Sequence, residues 1–134
     1  MALFDLSGHT ALVTGGNGGI GLGMATGLAA AGAAVMIAGR NAAKNAAAVQ
    51  SLERLGGKAA SVEADVTHEA DCRAMIAAAV ARFGGLQILV NNAGANIRKR
   101  PEDYTLAEWH RVIDTSLPAG EDFSAEGAEV AEKL

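Results

Sequence analysis

Thr10-Ala-Leu-Val-Thr-Gly-Gly-Asn-Gly-Gly-Ile-Gly-Leu-Gly23 decides the fold. Ala11, Leu12 and Val13 make an apolar run that stops at clustered glycines, after which Ile20, Met24 and Leu28 recur at helical spacing. A strand, a tight turn and a helix are predicted. Glycines at 15, 19 and 21 let the backbone turn sharply and approach a ligand, while the unpaired N–H groups at the helix start point at the same place. Such a terminus attracts phosphate.

Downstream the pattern repeats. The apolar run 33–38 has the length of a strand buried on both faces of a parallel sheet. Asn41 caps a second helix running to about Leu55, and a third strand follows over about 59–63. Thr67 is the expected cap of a third helix, with Glu69 and Asp71 in its first turn and Cys72, Met75, Ile76, Ala79, Val80 and Phe83 as core positions. A fourth strand covers about 86–90. Phe4 and Leu6 are expected to pack beneath the first strand, and Trp109 and the methionines to lie in the core. Thr105 and Glu108 have capping-box spacing ahead of a last helix with Trp109, Val112, Ile113 and Leu117 on one face, which Pro118 stops or kinks. Residues 124–134 read as a separate acidic helix.

Strands alternating with helices through short links require right-handed crossovers and a parallel sheet covered on both sides. The expected fold is a three-layer α/β, Rossmann-type parallel sheet of about four strands in the order 3-2-1-4. Residues 1–117 are expected to form this α/β unit and 118–134 an acidic tail.

Composition narrows the function. In 134 residues, 50% are hydrophobic and only 4% aromatic, which suits close helix-on-sheet packing. No apolar run of about 18 residues and no signal-peptide layout is present, and the lone Cys72 cannot make an internal disulfide, so a reducing cytoplasm is expected. Of the 15 acidic residues, 5 follow Pro118, against 1 of the 11 basic ones, so the net charge of -4 sits in the tail. Arg98, Lys99 and Arg100 form one short cationic run without interleaved aromatics, which excludes a nucleic-acid footprint. His9, His68 and His110 lack metal-ligand spacing to cysteines or carboxylates.

Thr14, Gly15, Gly19 and Gly21 complete a Thr-Gly-x-x-x-Gly-x-Gly pattern, and Asn91-Asn92-Ala93-Gly94 follows the fourth strand. On these residues the chain resembles the short-chain dehydrogenases/reductases. The resemblance implies that residues 1–117 are a dinucleotide-binding half-domain, with cofactor contacts at Gly15, Asn17, Gly18, Gly19, Ile20, Gly21, Arg40, Asp65, Val66, Asn91, Ala93 and Gly94. Asp65 would take the adenine amine, and the Asn-Asn-Ala-Gly run would line the nicotinamide side. The opening and the Arg98 region resemble sugar-acid and 3-oxoacyl reductases of the family.

Arg40 lies 19 residues after Gly21, where a dinucleotide fold meets the adenosine ribose. A carboxylate there binds two free hydroxyls, whereas a guanidinium suits a 2′-phosphate. Position 39 is glycine, so NADP is favoured over NAD, although the family's second basic residue is replaced by Gly18. A methyltransferase would want an acid near 39 or 40.

These 134 residues hold no counterpart of the family's catalytic Ser or Tyr/Lys pair. The one tyrosine, Tyr104, is followed four residues on by Glu108, a carboxylate that would raise a phenol pKa. Ser116 stands where the family has a helical Asn. Two readings follow: an NADP(H)-binding protein of this oxidoreductase family that is catalytically impaired alone, and a truncated or engineered Rossmann module with a structural role and a vestigial site. The fourth strand's bare outer edge predicts a homodimer or higher oligomer.

Overall fold

A computed structural model describes residues 3–95 and 97–116. The acidic tail helix expected at 124–134 lies outside them, as does Leu117. Four strands, β1 (Thr10–Thr14), β2 (Ala34–Gly39), β3 (Ala59–Glu63) and β4 (Ile88–Asn91), form a parallel sheet in the order β3-β2-β1-β4. Between them run α1 (Gly19–Ala30), α2 (Ala42–Arg54) and α3 (Glu69–Phe83), and a last helix, α4, covers Leu106–Ser116.

β1 is buried at every position because it has a neighbour on each edge and helices on each face. Its side chains alternate between two cores. Leu12 joins Met36, Val66, Cys72 and Met75 on the α3 side. Val13 joins Ala25, Val35, Ile37, Ala48 and Leu52 on the side of α1 and α2. This sharing explains why β1 and β2 read as unbroken apolar runs rather than alternating ones. The register is set along the same central strand, with Leu12 opposite both Met36 and Leu89.

α1 reaches the sheet through small residues. Gly21 and Ala25 are its buried positions, and a methyl group on Gly21 would collide with the Gly15 carbonyl and the Asn92 side-chain amide. The face read from the sequence is therefore rotated: Ile20 is 79% exposed, while Met24 and Leu28 are half-buried. Close approach of backbone to backbone leaves no room for a large side chain on the contact line. Phe4, at 77% exposed, does not pack beneath β1; Leu6 is half-buried, and its N–H is held by the Ala31 carbonyl at 2.8 Å. Trp109 is 56% exposed, because α4 buries none of its residues among those described. Met36 and Met75 are core, as expected.

Helix ends follow local chemistry. The Asn41 side chain accepts from Lys44 N at 3.0 Å, as its cap reading requires. Thr105 and Glu108 form the reciprocal capping box, each side chain accepting from the other's backbone N–H at 3.1 Å. Thr67 does not cap α3. The cap position is His68, which makes no side-chain cap bond, and the Thr67 hydroxyl turns back to Asp65.

The ends of β1 and β4 are joined by one hydroxyl. Thr14, fully buried, accepts from Asn92 N at 3.0 Å and Ala93 N at 3.1 Å while donating to the Val90 carbonyl at 3.3 Å. Asn92 N–H also lies 3.1 Å from the Val90 carbonyl, so Ala93 N–H depends most on the hydroxyl. Thr14→Val is expected to cost about 1–3 kcal/mol by orphaning that donor, with Thr14→Ser close to wild type. Urea unfolding of the two variants measures this.

Candidate functional site

At the carboxyl ends of the strands lies a cleft of about 630 Å³. The Gly-rich turn after β1 forms its floor. Gly15 adopts φ +64° and its N–H bonds the Ala38 carbonyl at 2.8 Å, which ties the turn to β2. A methyl group on Gly15 would press 3.1 Å from the Ala93 Cα, so the glycine is needed both for its left-handed backbone and for the close approach of the 91–94 segment. The Asn92 amide closes this junction by donating to the Gly15 carbonyl at 3.2 Å. α1 then starts behind Gly18, which makes no side-chain cap, leaving its first N–H groups available to an anion.

The structure brings Gly15, Asn17, Arg40, Asp65, Val66, Ala93 and Gly94 together on the cleft lining. Gly18 and Gly19 are exposed at the mouth of the turn, with open space around them. Ile20 faces solvent, Gly21 is spent on packing α1, and Asn91 is exposed at the end of β4. Lining residues that the sequence did not point to as cofactor contacts include Lys44, Arg111 and Asp114. Lys44 had a signal, because a residue three after a helix cap stays at the same end of the helix as the preceding strand's tip. Arg111 and Asp114 had none, since their arrival depends on where α4 docks.

Charge is divided within the cleft. Arg40 and Lys44 stand at the end of β2 and the first turn of α2, and Asp65 at the end of β3. Asp65 is pulled below the ordinary carboxylate range, chiefly by the Thr67 hydroxyl, which donates to it at 2.6 Å, with Thr67 N–H at 3.0 Å and the charges of His68 and Arg40 helping. Its own N–H donates to the Asp71 carboxylate at 2.8 Å, so the turn between β3 and α3 is held from both directions.

Tyr104 is engaged elsewhere. Its hydroxyl donates to the Ile97 carbonyl, closing the loop ahead of α4, and Glu108 is occupied by Thr105 and Lys99. Ser116 Oγ is close to Gly94, within 4.0 Å of where a methyl group on that glycine would stand, so the last turn of α4 comes near the 91–94 segment.

A Gly-rich turn opening a helix at the tip of a central parallel strand, with basic groups one strand away, is the arrangement of the α/β dinucleotide folds. The pattern of the short chain dehydrogenases matches residues 9–124, and the chain belongs to that family. It is 37% identical over 130 residues to an uncharacterized oxidoreductase of Escherichia coli, covering 97% of this chain and 49% of that protein. It is 40% identical over 117 residues to gluconate 5-dehydrogenase of Gluconobacter oxydans, covering 87% and 46%. The chain therefore spans about half the length of the curated relatives it matches. Among solved structures, a putative short-chain alcohol dehydrogenase from Sinorhizobium meliloti superposes with a TM-score of 0.86 at 35% identity, over 97% of this chain and 51% of that one. A metagenomic short-chain oxidoreductase in complex with NADP gives 0.78 at 34% identity, over 83% and 51%.

The lowered Asp65 pKa carries a sign. Its stabilising effect is present above the unfolded carboxylate pKa and is lost as pH falls through the lower folded value. Thr67→Val, which removes the hydroxyl donor, is expected to move the Asp65 titration upward and to bring acid unfolding to higher pH. NMR titration of the Asp65 carboxylate reads the first effect and circular dichroism against pH the second.

Proposed function

We propose that this chain binds NADP(H) as the cofactor half of a short-chain oxidoreductase, and that alone it transfers hydride at background rate. One observation carries the reading: Arg40 and Lys44 share the cleft with the Gly15–Asn17 turn, and position 39, the last residue of β2, is glycine. The pyrophosphate suits the turn and the free N–H groups of α1, where backbone can approach without Cβ atoms. A 2′-phosphate suits the paired donors of Arg40, with Lys44 supplying the second positive charge that Gly18 lacks. Asp65 and Val66 would meet the adenine, and Ala93 and Gly94 the nicotinamide-side ribose. The fit rests on the cradle itself, since Gly15 and Gly39 on the lining leave backbone without Cβ atoms at the turn and at the tip of β2.

When bound, the nicotinamide C4 supplies hydride chemistry. The residues present account for holding and orienting that group. They include no acid/base of the expected kind, since Tyr104 is bonded to a backbone carbonyl and is followed by a carboxylate rather than a lysine at the fourth position. Ser116, near Gly94, could still hydrogen-bond a water there.

A second reading, a structural module with a vestigial site, is favoured by β4. It pairs only with β1 among the described residues, and its half-buried Ile88, Leu89 and Val90 lie at the edge of the sheet. Self-association through that edge gives a homodimer or larger assembly, and light scattering of the purified chain showing a monomer at tens of micromolar removes this part of the reading.

Calorimetric titration with NADPH and NADH separates the two readings. NADPH preference is expected, and Arg40→Asp should weaken NADPH by about 2 kcal/mol, roughly 30-fold, with far less effect on NADH. Equal loss for both cofactors overturns the 2′-phosphate assignment. Steady NADPH oxidation with a panel of carbonyl compounds overturns the proposed inactivity.

A further inference from the structure

Asn45 is 1% exposed, in the second turn of α2, although asparagine is mostly a surface residue. Its amide is fully used. Nδ2 donates to the Gly39 carbonyl at 2.9 Å and to the Val62 carbonyl at 3.3 Å, and Oδ1 accepts from Asn17 Nδ2 at 2.9 Å. Gly39 ends β2, Val62 is the penultimate residue of β3, and Asn17 belongs to the Gly-rich turn after β1. One buried side chain thus joins the ends of three strands, and it does so beneath the cleft wall that Asn17, Gly39 and Arg40 share.

The bond also occupies space. A Cβ built on Gly39 would lie 2.5 Å from Asn17 Nδ2 and 2.7 Å from Asn45 Oδ1, closer than real Cβ atoms approach. Asn45 is held by the Gly39 and Val62 carbonyls in addition to Asn17, so swinging aside costs it two further hydrogen bonds. Position 39 is the tip of the second strand, where a ribose-binding carboxylate would have to stand for a cofactor with two free hydroxyls.

We propose that the Asn17–Asn45 amide pair is a specificity-determining element that holds the Gly-rich turn against β2 and bars any side chain, a carboxylate above all, from position 39. The ribose end of the cleft is thereby kept to Arg40 and Lys44. Asn45 is a positioning residue acting through Asn17, and the inference rests on the dinucleotide reading above.

The test titrates the full chain with NADPH and with NADH. Asn17→Ala and Asn45→Ala are each expected to weaken NADPH about 3- to 10-fold, and the double variant no more than Asn45→Ala alone, because Asn17→Ala removes only the bond that Asn45→Ala already takes. Gly39→Asp with the pair intact should lose NADPH binding and gain none for NADH. Gly39→Asp in the Asn17→Ala/Asn45→Ala background should bind NADH, inverting the cofactor ratio, which a merely structural role for Asn45 would not do. Hydrogen exchange of the 16–19 amides, measured without cofactor, should quicken alike in both single variants. Asn17→Ala, at a half-buried site, reports on the same bond if Asn45→Ala does not fold. Additive losses, or Gly39→Asp binding NADH equally well with and without the pair, overturn the proposal. Wild-type chain that binds neither cofactor overturns the dinucleotide reading and the specificity role together, whereas unchanged exchange in a chain that does bind overturns the tether alone.

Discussion

The buried Thr14 hydroxyl is the constraint on which the rest of the structure depends. A parallel sheet delivers the ends of β1 and β4 to the same edge, but nothing in a strand ladder satisfies the backbone just beyond its last pair. Thr14 supplies one oxygen to two such N–H groups, Asn92 and Ala93, and its proton to a third group, the Val90 carbonyl. With the 91–94 segment held there, the Asn92 amide can reach the Gly15 carbonyl and Gly21 can pass beneath both. The turn, the helix start and the fourth strand's exit become one unit because each fills space that the others leave.

The same economy governs the other strand tips. α1 approaches the sheet through Gly21 and Ala25, which brings its start close to the strand tips, and polar side chains there satisfy several groups at once. Asn45 serves β2, β3 and the turn after β1. Asp71 and Thr67 between them hold the Asp65 turn. Such networks are costly when incomplete and specific when complete. Here they surround a cleft whose basic groups, Arg40 and Lys44, sit at β2 and α2 while Asp65 sits at β3.

The chain belongs to the short chain dehydrogenase family and spans about half the length of the relatives it matches. The central strands are satisfied on all sides: both faces of β1 and β2 are covered and each of their edges is paired. β4 differs, being half-buried and paired on one side among the described residues. Among the described residues, the central pair of strands thus meets its pairing requirements on both edges and the outer strand on one.

Element order, sheet topology and the strand-tip location of the site were legible in the amino-acid sequence, because apolar runs, glycine stops and helix caps such as Asn41 are local signals. The Thr14–Gly15 turn and Arg40 were legible for the same reason, since spacing along the chain places them at neighbouring tips. The orientation of α1 was not: Ile20 completes an apolar stripe on paper, yet the contact line is Gly21 and Ala25, because only they permit the backbone approach. Nor could sequence foresee that Trp109 and Phe4 face outward, that Thr67 turns to Asp65 instead of capping α3, or that Asn45 is buried. Each of those outcomes depends on distances between segments far apart in the chain. By itself the sequence determined which residues form strands, turns and helices and in what order, through propensity and periodicity. Only the tertiary structure decided which polar groups share a hydrogen bond and which positions have room for a side chain, because both are set by packing across strands.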